Sequence, residues 1–242
     1  MFVERAFVDP VDHVDDWPFT VPAVADLVGD GLEFHAPVTM LVGDNGSGKS
    51  TIVEAVAEGF DLDSRGGRAS RLPRTDTVRT PLGDVIELET TPRGARMLRG
   101  PRLQKKGFFL RAETAVELTE RYSGVPGYWD EDTTELSHGE GFLAVFRAMF
   151  QDPGFYVLDE PESALSFTAC LRLVALMSEL ADAGAQVVCA THSPVLASVP
   201  GADIVEVGDH GLRRTSWEEL ELVAHWRRYL ADPSMYLRHL LD

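Results

Sequence analysis

The chain makes little use of cysteine and lysine, and it has no long hydrophobic run. It holds two cysteines, Cys170 and Cys189, and three lysines. No apolar stretch reaches the ~18 residues that a bilayer-crossing helix needs, which excludes an integral helical anchor within this sequence. Both cysteines sit in apolar surroundings, so they read as buried free thiols in a reducing compartment and not as a disulfide framework. The first residues, MFVERAFVDPVDHVDD, have neither a basic start nor an apolar core, so a secretory leader is not expected and a cytoplasmic location is. An excess of positive charge is missing too. The net charge of −17 speaks against general affinity for nucleic-acid phosphates.

The positive charge that is present is concentrated. Residues 65–111 hold 12 of the 22 Lys and Arg against four acids, Asp76, Asp84, Glu87 and Glu89. Arg93, Arg96, Arg99, Arg102 and Lys105 recur at every third position. One reading is a contact for DNA, RNA or an acidic protein partner. The other is pairing with the acids of this chain or of a second subunit, and the lack of interleaved aromatics weighs for it. Pro92, Gly94, Gly100, Pro101 and Gly107 argue against a long helix over 92–107.

A chain of 242 residues with 44% apolar content suits a single α/β domain over 1–242. The run APVTMLV, 36–42, reads as a buried strand that enters a glycine-rich turn and then the helix KSTIVEAVAEGF. DVIELET, 84–90, and GFFLRAE read as strands. FYVL and QVVCA read as buried strands joined by the helix SFTACLRLVALMSELADAG, which stops at Gly184; that order implies a parallel pair. DIVEV and GLRRT flank GDHG as a hairpin, and 216–242 reads as one or two helices. There HWRRYL, 225–230, provides packed and solvated faces. GEGFLAVFRAMF, 139–150, has helical apolar spacing.

Three motifs carry chemistry. Gly43-Asp44-Asn45-Gly46-Ser47-Gly48-Lys49-Ser50, followed by Thr51, fits G-x-x-x-x-G-K-[ST] between a strand and a helix. Its glycines let backbone N–H groups wrap an anion at a helix N-terminus. Lys49 would reach the outer phosphates, and Ser50 would offer its hydroxyl to Mg²⁺. Next, FYVLDEPE sets Asp159 and Glu160 just past a buried strand. The first is a candidate magnesium ligand, and the second a candidate base that polarises water. Finally, QVVCATHSP puts His192 at the C-terminal end of a strand, the edge where open α/β sheets bind ligands. LSHGE, 136–140, is more ambiguous on its own. Ser137 and Glu140 fit a capping box, yet a serine-capped helix start is also an anion site.

GDNGSGKST, LSHGE, FYVLDEPESALS and ATHSP, in that order over about 17–207, resemble the nucleotide-binding domain of the ATP-binding cassette (ABC) superfamily of P-loop ATPases. More narrowly, WPF, FFLRAE, LSHGE and DEPE-x-ALS resemble small soluble bacterial ATPases of the AAA/ABC kind. The resemblance implies a mainly parallel sheet core, an antiparallel strand region and a helical signature lobe at 108–150. It implies two ATP molecules sandwiched in a head-to-tail homodimer. One subunit would give Lys49, Ser50, Asp159, Glu160 and His192, and the other Ser137 and Gly139. Adenine would stack on Trp17 or Phe19, unless WPF is a core or turn cluster.

The departures from the family pattern concern the residue after the GFFLR strand. Transporter domains carry Gln there, and this chain has Glu113, either a magnesium contact or an exposed strand-end acid. His138 stands where glycine is commoner, and DEPE points to soluble branches. Only 87 residues lie between Lys49 and Ser137, too few for a coiled-coil arm. A Mg-ATPase that drives an unidentified partner, in nucleic-acid maintenance or defence, is one expected function. The alternatives are the ATP-binding subunit of a transporter with separate membrane subunits, and a nucleotide-dependent regulator with little turnover.

Overall fold

A computed structural model of the protein describes residues 1–10, 16–62, 67–68, 79–100, 107–111, 146 and 153–238. Glu113, Ser137, His138 and Gly139 lie outside the described residues, as do most of the expected signature lobe and Arg102 and Lys105. The strands are β1 (Val3–Val8), β2 (Leu32–Glu33), β3 (Val38–Val42), β4 (Gly67–Arg68), β5 (Ile86–Thr90), β6 (Gly107–Arg111), β7 (Phe155–Asp159), β8 (Gln186–Thr191), β9 (Asp203–Gly208) and β10 (Gly211–Thr215). The helices are α1 (Pro22–Ala25), α2 (Lys49–Gly59), α3 (Pro81–Val85), α4 (Pro92–Arg99), α5 (Phe167–Asp182), α6 (Glu221–Ala231) and α7 (Ser234–Leu237).

The main sheet runs β10-β9-β3-β8-β7-β6-β4. Its five central strands are mutually parallel, and β10 and β4 close the two edges antiparallel. Every residue of β3, β7 and β8 is buried, which is why these strands read as continuous apolar runs without alternation: both faces are covered. On one face α5 buries Ala169, Cys170, Leu173, Met177 and Leu180, a helical spacing that packs on Val187, Cys189 and Tyr156. Ser166 caps that helix by accepting from the Ala169 N–H, and Gly184, at φ +86°, ends it. On the other face α2 packs Ile52, Val53 and Val56 with Leu41, Val157 and Val188. Both cysteines are buried and free, as expected.

The antiparallel region is the three-stranded sheet β2-β1-β5. Gln186, fully buried at the start of β8, holds it to the main sheet. Its Oε1 accepts from the N–H groups of Phe2 (2.6 Å) and Val3 (2.9 Å), and its Nε2 donates to Val3 O (2.9 Å). A buried amide with its bonds made costs little, and its loss would leave edge backbone groups unpaired.

Two expectations need adjusting, and the segment expected to hold no long helix holds a short one. Residues 92–99 form a helix despite their proline and glycine. Pro92 sits in the first turn, where no N–H is needed, and Thr91 Oγ1 caps by accepting from the Gly94 N–H (3.1 Å). Gly94 is there for contact, not for a break, since a Cβ would lie 2.0 Å from Phe2 O. The strand expected from 84 begins at Ile86, because Pro81–Val85 is helical and capped by Thr80. Residues 108–111 belong to β6 within the main sheet, so the lobe expected from 108 shares its first residues with the core.

Candidate functional site

The C-terminal ends of β3, β7 and β8 lie side by side, and the expected residues leave from them. Gly43 follows β3 under the β9 end, where a Cβ would meet Val207 O at 2.1 Å, so only glycine fits. Gly46 and Gly48 take φ of +84° and +100°, the left-handed region open to glycine, and the chain turns from strand to helix within six residues. The loop Gly43–Ser50 thus ends in the N-terminus of α2, with Thr51 in its first turn. Ser47 Oγ is buried without a hydrogen-bond partner among the described residues, a hydroxyl suited to an anion's oxygen.

Lys49 is 2% exposed, and its Nζ donates to Asp44 O at 2.7 Å, across the loop. It lies 3.9 Å from Glu160 Oε1. Burial lowers its pKa, and the charges of Glu160, Asp159, Glu162 and Asp44 hold it up in part. Ser50 Oγ donates to Asp159 Oδ1 at 2.8 Å. Burial raises the Asp159 carboxyl, against the pull of the Ser50 hydroxyl and the Arg111 guanidinium.

Glu160 is one of two residues other than glycine with positive φ among those described, at +47°. Such a backbone costs about 1–3 kcal/mol and has to be held. The Glu160 N–H donates to Ala190 O (3.0 Å), and Ser163 Oγ donates to Glu160 O (3.1 Å). The result turns the carboxylate toward the loop: Oε1 lies 3.9 Å from Lys49 Nζ and 3.7 Å from His192 Nδ1. Lys49, Ser50, Asp159, Glu160 and His192 are therefore brought together. Oxygen donors from a hydroxyl and a carboxylate suit a hard divalent cation such as magnesium.

Some functional neighbours escaped sequence reading. Arg111 at the end of β6 is in register with Asp159. Its Nε lies 3.7 Å from Asp159 Oδ2, and its Nη1 donates to Glu54 Oε1 at 3.1 Å. Glu162 reaches the β8 end. A cleft of about 770 Å³ runs from the outer side of Gly43–Ser47 to the tail, with Glu206, His225, Trp226, Tyr229 and Tyr236 among its lining. Of the aromatic pair, Phe19 is buried in the core beside Val24 and Ile52, the core alternative for WPF, while Trp17 is 63% exposed. Three more arginines of the basic segment make contacts within the chain, to carbonyl oxygens and a ring. Arg93 lies over the Phe2 ring and donates to Gly184 O, Arg79 donates to Glu58 O and Gly83 O, and Arg96 donates to Pro92 O of its own helix.

Comparison with known proteins agrees with this geometry. The family described as "AAA domain, putative AbiEii toxin, Type IV TA system" matches residues 94–198, and a further "AAA domain" family matches 29–92. The chain is 32% identical to the zinc import ATP-binding protein ZnuC of Paracoccus denitrificans over 72% of this chain and 65% of that one. It is 28% identical to the ATP-dependent lipid A-core flippase of Cupriavidus pinatubonensis over 75% of this chain and 33% of that one. The chain thus spans less than two thirds of either relative. The SMC head domain from Thermotoga maritima overlays with a TM-score of 0.48 at 17% identity, over 76% of this chain and 92% of that one. With a phosphate loop, a strand-end Asp-Glu pair and a strand-end histidine converging on one sheet edge, the chain belongs to the ABC-type ATP-binding P-loop ATPases.

Proposed function

We propose that the protein binds Mg-ATP at the β3–α2 loop and hydrolyses it to ADP and phosphate. The observation that carries this reading is the convergence of Lys49, Ser50, Asp159, Glu160 and His192 at one end of the sheet. The loop's backbone N–H groups and Lys49 would hold the phosphates. Ser50 and Asp159 would hold magnesium, with Glu113 a further candidate for its shell. When bound, that ion supplies positive charge to the phosphate oxygens. Glu160 accepts a proton from the attacking water, and His192 donates toward the terminal phosphate. Trp17 is the exposed candidate for stacking on adenine.

Completion of the site falls to a second copy, whose Ser137 and Gly139 would close over the terminal phosphate at a capped helix start. Association and separation would then couple hydrolysis to a partner. A second reading, an ATP-binding subunit that serves separate membrane subunits, is favoured by the names of the two relatives. Among the described residues no helix is long and apolar enough to cross a membrane, so that reading requires a further chain. A third, a regulator with little turnover, differs only in rate.

The test is phosphate release by the purified protein with Mg-ATP. Wild type should turn over, and Glu160→Gln should lose about 10²–10⁴-fold in kcat while it still binds ATP, as removal of a general base does. Equal rates in the two proteins would contradict the assignment.

A further inference from the structure

Glu162, the last residue of DEPE, is absorbed by none of the roles above, yet it makes the densest set of contacts across the site. It sits in the single turn Pro161–Ala164 that follows β7, with its side chain 8% exposed. One oxygen, Oε1, accepts from Thr191 Oγ1 (2.5 Å) and from the His192 N–H (2.7 Å). The same oxygen lies 3.4 Å from His192 Nδ1. Thr191 Oγ1 accepts in turn from the Ser193 N–H at 2.9 Å. Three consecutive residues at the end of β8 are thus tied to one carboxylate that belongs to the β7 turn.

A buried carboxylate is an expensive way to fasten a loop. Its other oxygen, Oε2, is buried without a partner among the described residues, and so is His192 Nδ1. A neutral side chain could accept the two short bonds and avoid that cost. What the carboxylate adds is a negative oxygen facing Nδ1 beside that of Glu160, which lies 3.7 Å away. With two such oxygens on that side, the ring's orientation is set from the β7 turn. The Glu160 N–H bond to Ala190 O is a second link between the β7 turn and the end of β8, so Glu160 and His192 are fastened to the same pair of strand ends.

We infer that Glu162 is a positioning residue: it locks Thr191–Ser193 to the β7 turn and fixes the His192 ring against Glu160. The inference rests on the hydrolysis reading for its consequence, but the tether can be measured without it. The experiment compares wild type, Glu162→Ala and Glu162→Gln. It uses amide hydrogen exchange over residues 186–196, thermal melting, and steady-state hydrolysis of Mg-ATP.

In Glu162→Ala, exchange at the His192 and Ser193 amides should quicken about 10-fold or more, with the β8 interior unchanged, because those N–H groups lose direct and relayed acceptors. Its kcat should fall by about 10-fold or more with KM within about 3-fold, the split expected when binding groups are intact and a reacting group is misplaced. Glu162→Gln, which keeps an acceptor at Oε1 but gives up the charge that faces Nδ1, should restore the exchange and only part of the kcat. Unchanged exchange in Glu162→Ala would overturn the tether. A kcat within about twofold of wild type would overturn the positioning role, and so would a kcat loss that follows the melting temperature and is not rescued by glutamine. If wild type itself shows no hydrolysis, the hydrolysis reading fails, and the exchange comparison alone decides for or against the tether.

Discussion

Ser50 Oγ donates to Asp159 Oδ1 at 2.8 Å and so joins the first turn of α2 to the end of β7, 109 positions away in the chain. Both groups are hard oxygen donors, and their mutual bond sets their spacing before any ligand arrives. Ser50→Ala removes one of them and leaves Asp159 facing Arg111. The magnesium concentration for half-maximal hydrolysis should rise by about 10-fold or more, a loss typical of removing one supporting group from a metal site. A magnesium titration of phosphate release checks this. An unchanged midpoint would place the ion elsewhere.

Lys49 bears on both stability and binding. Burial lowers its pKa, so its charge is less comfortable in the native protein than in the unfolded chain. The sign follows from linkage: between the lowered native value and the ordinary lysine value near 10.5, the unfolded chain binds more protons, so stability rises with pH there. Below that window the full cost is present. Lys49→Met should therefore melt at or above wild type in the nucleotide-free state, by about 2–4 °C for each kcal/mol relieved, and lose ATP binding. Melting curves from pH 7 to pH 10.5 should converge for the two proteins at the alkaline end. A variant that melts well below wild type would mean that the ammonium stabilises the fold.

Arg111 holds two carboxyls, the buried Asp159 and the partly buried Glu54, both raised by desolvation and both drawn down by its charge. Arg111→Gln takes that charge away. The variant should lose about 1–3 kcal/mol, between the values for an exposed and a fully buried pair, since the guanidinium is partly exposed. The deficit should grow as pH rises from about 5 to 8, because carboxyls with raised native values resist ionising in the fold and do not in the unfolded chain. Urea melts at the two pH values check the slope. A deficit that shrinks with rising pH would contradict the pairing.

The features that could be read from the chain are those set by local composition. β3, β7 and β8 are apolar on both faces, and each ends at candidate site residues, so strand and loop were visible together. The β9–β10 hairpin and the tail helices were visible in the same way. The relationships that need register or long-range contact were not. Arg111 meets Asp159 only because β6 and β7 align, and Gln186 binds the first strand from 183 positions away. Glu162 looked like a branch marker because nothing local says that it will reach Thr191. Helix α4 was hidden by its own punctuation: Pro92 starts it, and Gly94 lets it approach Phe2. Phe19 and Trp17, two positions apart, part company into core and solvent, which no pattern of two residues can announce.

The central claim is that ATP is held between two copies of this chain. Glu160→Gln should retain bound nucleotide because Lys49, Ser50 and Asp159 are untouched, while the step that separates the copies is blocked. The direct measurement is the solution mass of this variant by light scattering, with and without Mg-ATP. A mass that doubles on adding Mg-ATP, and returns when nucleotide is removed, is the expected result. A variant that binds ATP yet keeps the mass of one chain in both states, at high concentration, would contradict the two-copy site.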